Sequence, residues 1–116
     1  MITERRRHPR LLSHLPLRYY RKGTSHYADT LTKDVGLGGV RFLSHEFFPT
    51  THEFLVEIPL FRASHPVQTV GRVAWSQKIA HSDLYEIGME FLQLPDDHRR
   101  LLNAFLDNAL AHVLPA

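Results

Sequence analysis

Six arginines fall within the first twenty-one residues, at positions 5, 6, 7, 10, 18 and 21. A guanidinium is always charged in proteins, forks onto phosphate oxygens and stacks flat on aromatic planes. A ligand that offers both phosphates and purine rings would use both properties. Arg6 and Arg10 are four apart, with Pro9 between them. Proline fixes its own φ and biases the preceding His8 towards extended backbone. That argues against a helix here and for a bent, extended arm from which the arginines splay. A solvated basic tail has the same composition, so the arm needs a second feature to point to a ligand.

The second feature is Asp34-Val35-Gly36-Leu37-Gly38-Gly39, followed by Val40-Arg41-Phe42. An ionised carboxylate accepts only, and its two oxygens match the N1–H and N2–H2 edge of guanine. Glycines permit positive φ and let a ligand approach the backbone closely. Successive backbone N–H groups in such a turn can also cup an anion. A plain hairpin or bulge turn between two strands uses the same residues.

Other chemistries find little support. Nine histidines are dispersed at 8, 14, 26, 45, 52, 65, 81, 98 and 112, with no HxH, no HExxH and no cysteine to join them. A metal site is therefore not expected. No serine sits in GxSxG, and there is no Walker loop or GxGxxG. The chain is not expected to be an enzyme, and no cofactor is implied.

These two features need a scaffold. At 116 residues the chain suits one domain with one modest core. Its 43% hydrophobic and 22% charged content is ordinary for a globular protein. Lacking cysteine, it fits a reducing, cytoplasmic setting. No apolar run approaches the ~20 residues of a spanning helix, so membrane insertion is not expected. The net charge of +2 hides an asymmetry: residues 1–22 carry seven cations against one acid, and residues 23–116 carry seven cations against eleven acids. The basic character belongs to that first segment, and the acidic body does not resemble a nucleic-acid-binding surface.

Six segments read as strands: Leu15–Tyr20, Tyr27–Lys33, Val40–Leu43, and the runs EFLVEIPL, QTVGRVAWSQ and LYEIGMEFLQL. Phe54, Val56 and Ile58 alternate onto one face, as do Tyr85, Ile87, Met89 and Phe91, with Gly88 on the outside. Val73 and Trp75 are expected to face together. Short strands at this spacing predict an antiparallel barrel or sandwich. Pro95 and Asp96 start a helix whose Leu101, Leu102, Phe105, Leu106, Ala109, Leu110 and Val113 share one side. The expected layout is a basic arm over 1–14, a barrel over 15–94 and a helix over 95–114.

Together the arm and the turn resemble the PilZ domain family, which binds cyclic di-GMP. The family pattern is an RxxxR arm followed, some twenty to thirty residues on, by a D/N-x-S-x-x-G turn. Arg6-Arg7-His8-Pro9-Arg10 matches the first and Asp34 to Gly39 the second. GVRFLS, GRVAW and YEIGMEFLQL extend the likeness over essentially the whole chain. The resemblance implies a six-stranded antiparallel β-barrel with a C-terminal helix, acting as a bacterial receptor module. It implies that Arg6 and Arg10 grip phosphates and stack on guanine. Asp34 would read a guanine edge, while Gly36, Gly38 and Gly39 give backbone room. Arg5 just ahead of the pair, with Arg7 inside it, goes with two stacked ligand molecules. Trp75 occupies a strand near the ligand. A downstream protein partner is implied, and oligomeric state, a homodimer included, is left open.

One departure stands out: the motif serine is Gly36. Losing that hydroxyl would weaken binding without abolishing it. Two rival readings follow. A degenerate PilZ-fold adaptor would act by protein contact without ligand. Nonspecific nucleic-acid binding by the arm is opposed by the acidic body and by the lack of aromatics among the early arginines.

Overall fold

The computed structural model describes residues 10–12, 14–60, 63 and 65–113, with side chains described over 14–60, 63 and 65–108. It contains seven strands and one helix: β1 (Arg10–Leu12), β2 (Pro16–Arg21), β3 (Tyr27–Gly36), β4 (Gly39–Ser44), β5 (Glu53–Ile58), β6 (Val67–Lys78), β7 (Tyr85–Gln93) and α1 (Asp96–Val113). Strands β2 to β7 form a closed six-stranded antiparallel barrel, sealed by the pairing of β3 with β4. Strand β1 is an addition outside the ring. It lies antiparallel on β3, opposite Asp34 to Gly36, beyond the point where β2 stops pairing at Leu31.

Alternation in the sequence produces this closure. Phe54, Val56 and Ile58 on β5 are 3%, 1% and 0% exposed, while Leu55 between them is 46% exposed. Ile87 and Met89 on β7 are buried in the same interior. One end of the core is aromatic. The Tyr19 ring lies 5.4 Å from Phe42 and from Phe48, and 5.8 Å from Phe54. Such pairs add about 0.5–1.5 kcal/mol each beyond their area burial.

Helix α1 begins directly after Pro95, with Asp96 and Asp97 in its first turn where the helix dipole favours negative charge. Leu102 and Leu106 are buried, Leu101 and Phe105 half-buried against the core. The helix packs on β6 and β1. Arg99, Arg100, Asn103, Asp107 and Asn108 face outward as their spacing predicts.

Two register slips matter for the site. Between Thr32 and Asp34 one extra residue, Lys33, enters β3 relative to β4. Between Val73 and Trp75, Ala74 is extra on β6 relative to β7. Such a bulge moves the following side chain to the opposite face of the sheet.

Candidate functional site

Asp34 lies opposite Arg41 on β4, and Arg41 lies opposite Gly88 on β7. Gly88 in turn lies opposite Trp75 on β6. These four positions form one row across the barrel. Ile87 and Met89 point into the core, so the row runs along the outer surface. At its β3 end comes the arm, with Leu12 opposite Asp34 and Arg10 opposite Gly36.

The Asp34 side chain is fully covered, at 0% exposure. Its Oδ2 accepts from Arg41 Nε at 2.6 Å and forms an ion pair with Arg41 Nη2. Arg41 Nη1 donates to Glu86 Oε1 at 3.2 Å, and Lys33 Nζ donates to Glu86 Oε2 at 2.6 Å. Charges therefore alternate along Asp34, Arg41, Glu86 and Lys33. A covered carboxylate has to be paired to remain ionised, and removing one member of a buried pair costs about 3–5 kcal/mol. The hydrogen bond to Asp34 is the main reason Arg41 is held further above its ordinary range, against the opposing effect of burial. Arg41 thus carries full charge at every working pH.

The glycines of the turn have structural duties. A Cβ on Gly39 would lie 2.2 Å from the Met89 carbonyl oxygen, so β4 can approach β7 this closely only with glycine there. The Gly38 carbonyl accepts from Phe91 N–H at 2.9 Å, fixing the turn to β7. Gly36 is the last residue of β3 rather than part of a loop. Among the described residues the glycine with a left-handed φ is Gly23, at 82°, in the β2–β3 turn.

Trp75 departs from the shared face expected with Val73. The bulge at Ala74 turns it outward, and its indole lies over Gly88, where an added Cβ would sit 2.4 Å from Cε2 and Nε1. Three strand spacings separate β6 from β3, roughly 15 Å. Trp75 shares the row with Asp34, at its far end. Arg5, Arg6 and Arg7 lie outside the described residues, and Arg10 is described by its backbone alone. Arg10–Leu12, in the extended backbone expected of the arm, are paired with β3 as a strand.

Sequence reasoning gave Arg41 and Glu86 no role and Gly88 only an outward position. Strand parity could have indicated Arg41, since it falls two residues after Gly39 on the outward side. Nothing local could have linked it to Glu86, because that contact exists only once β4 and β7 pair.

Two further features lie away from this row. A groove of about 630 Å3 is rimmed by Pro16, Leu31, Pro59 and Pro66 over the Arg18–Asp29 ion pair. Elsewhere His65, Asp97 and His98 bring potential ligand atoms within 4.8 Å of one another, a grouping the dispersed sequence positions did not suggest. The Gln68 N–H donates to His98 Nδ1 at 2.8 Å. The proton of the neutral ring then sits on Nε2, the atom facing Asp97 at 3.9 Å. His98 therefore turns a donor rather than a lone pair towards its neighbours, which does not suit a metal.

The PilZ domain model matches residues 4–108, and the chain belongs to that family. Solved structures with the same fold include the Bacillus subtilis inhibitor of motility MotI/DgrA, with a TM-score of 0.76 at 15% identity, covering 94% of this chain and 53% of that one. K. pneumonia MrkH in complex with c-di-GMP gives 0.74 at 16% identity, covering 97% and 55%. The PilZ domain of Escherichia coli YcgR with c-di-GMP gives 0.65 at 15% identity, covering 95% and 98%. The chain thus spans about half the length of MotI and MrkH. No curated protein matches it. Among the described residues no helix is long and apolar enough to cross a membrane.

Proposed function

We propose that this chain is a non-enzymatic receptor for cyclic di-GMP in the bacterial cytoplasm. Its arginine arm and DVGLGG turn clasp the ligand, and the altered surface is read by a partner protein. No cofactor takes part. The observation that carries this reading is the register of β1 on β3. Arg10 starts from the backbone position opposite Gly36, and Leu12 from the one opposite Asp34. The second arginine of the RxxxR pair and the guanine-reading carboxylate therefore begin as neighbours. The MrkH and YcgR structures, which hold c-di-GMP on the same fold, support it.

In this mechanism Arg6 and Arg10 take phosphate oxygens and stack on guanine, and Asp34 accepts from a guanine edge. Arg5 and Arg7 add the charge that lets a stacked pair of ligands bind. Trp75 bounds the far end of the strip. Titration calorimetry tests the proposal: heat saturating at micromolar ligand is expected, and no heat from a folded sample rejects it. Arg10→Ala is expected to abolish binding and leave the melting temperature nearly unchanged. A large loss of stability would make Arg10 a structural residue instead.

A second reading is favoured by a specific observation. Asp34 is covered and already engaged by Arg41, and Gly36 lacks the motif hydroxyl. On that reading the chain is a ligand-independent adaptor that works through protein contacts. Capture of its partner, unaffected by added cyclic di-GMP, would favour it.

A further inference from the structure

We infer that Arg41 is a positioning residue for the ligand site, orienting the Asp34 carboxylate so that it discriminates the 2-amino group of guanine. This inference rests on the cyclic di-GMP reading above. Guanine presents two parallel donors, N1–H and N2–H2, and only an ionised carboxylate in a fixed plane accepts both. A protonated acid offers one acceptor fewer and a donor in its place. Asp34 is fully covered, and burial alone drives a carboxyl towards its neutral form. A counter-charge in direct contact opposes that, and Arg41 supplies it.

The geometry does more than supply charge. Arg41 directs two nitrogens, Nε and Nη2, at the same oxygen, Oδ2. One hydrogen bond and one ion pair from a single rigid plane hold Oδ2 in place more firmly than a flexible ammonium would. The other end of the guanidinium is anchored in turn: Nη1 donates to Glu86, which Lys33 holds through its second oxygen. Opposite Arg41 on the far side stands Gly88, which has no side chain to press on it. Arg41 is thus fixed from β7 and acts on β3, across the pairing that closes the barrel.

The test compares cyclic di-GMP with its cyclic diinosine analogue, which lacks only the 2-amino groups. The wild-type chain is expected to prefer cyclic di-GMP by roughly tenfold to a hundredfold, the value of a hydrogen bond to a charged acceptor. Asp34→Asn sets the floor for that ratio, because an amide cannot accept from both donors. Arg41→Lys keeps the charge and loses the fork. It is expected to fold, to bind the diinosine analogue about as well as wild type, and to show a ratio within about threefold of the floor. A folded Arg41→Lys variant with the wild-type ratio overturns the inference, as does a wild-type chain that binds both ligands equally. Should Arg41→Lys and Arg41→Gln both fail to fold, Arg41 is structural and the inference is again overturned. Failure of the wild-type chain to bind cyclic di-GMP at all removes the receptor reading itself, an outcome distinct from binding without discrimination.

Discussion

Gly36 stands where the family pattern has serine, and its position makes the exchange testable. Asp34 points outward and Val35 inward, so a side chain at 36 would point outward again, beside the backbone of Arg10. Gly36→Ser is expected to tighten cyclic di-GMP binding threefold to a hundredfold, from about 0.5–3 kcal/mol for one recovered hydrogen bond. Calorimetry on the two proteins checks this, and unchanged affinity would remove the hydroxyl from the site. Single-residue roles were unevenly legible in the sequence. Asp34 and Arg10 could be proposed because motif spacing carries that information. Trp75 does not share the face with Val73 that plain alternation implies, because one inserted residue, Ala74, reverses parity, and nothing in GRVAWSQ marks where a bulge falls. Arg41 had no assigned role because its partners, Asp34 and Glu86, become neighbours only through strand pairing.

Strands β4 and β7 approach closely at the site. Gly39 meets the Met89 carbonyl where a methyl group would overlap it, and the oxygen belongs to backbone that cannot rotate away. Gly39→Ala is expected to destabilise the fold by about 1–3 kcal/mol, measured by urea unfolding, since overpacking forces the strands apart. A loss well under 1 kcal/mol would mean the turn relaxes instead. The main elements were readable from alternation: β5 buries Phe54, Val56 and Ile58, β7 buries Ile87 and Met89 with Tyr85 and Phe91 partly buried, and the Leu102 and Leu106 side of α1 docks as its spacing requires. Strand β1 was not readable. Three residues after a proline give too little pattern, and their pairing depends on a free edge of β3 left where β2 ends.

At the scale of the molecule, positive charge is concentrated in residues 1–22, with seven cations against one acid, and the remainder is net acidic. A ligand that binds only the folded form stabilises it by about 2.7 kcal/mol at a hundredfold excess over Kd. For a domain of this size that raises the melting temperature by on the order of ten degrees. Cyclic di-GMP is expected to produce such a shift, and DNA of equal charge is not. No shift with either would favour the adaptor reading.

The indole that covers Gly88 belongs to the chain's sole tryptophan. Near-ultraviolet emission therefore comes with a built-in address, one end of the strip that begins at Asp34. Events along that strip can be followed optically in the native chain, with no dye attached and no competing indole to subtract.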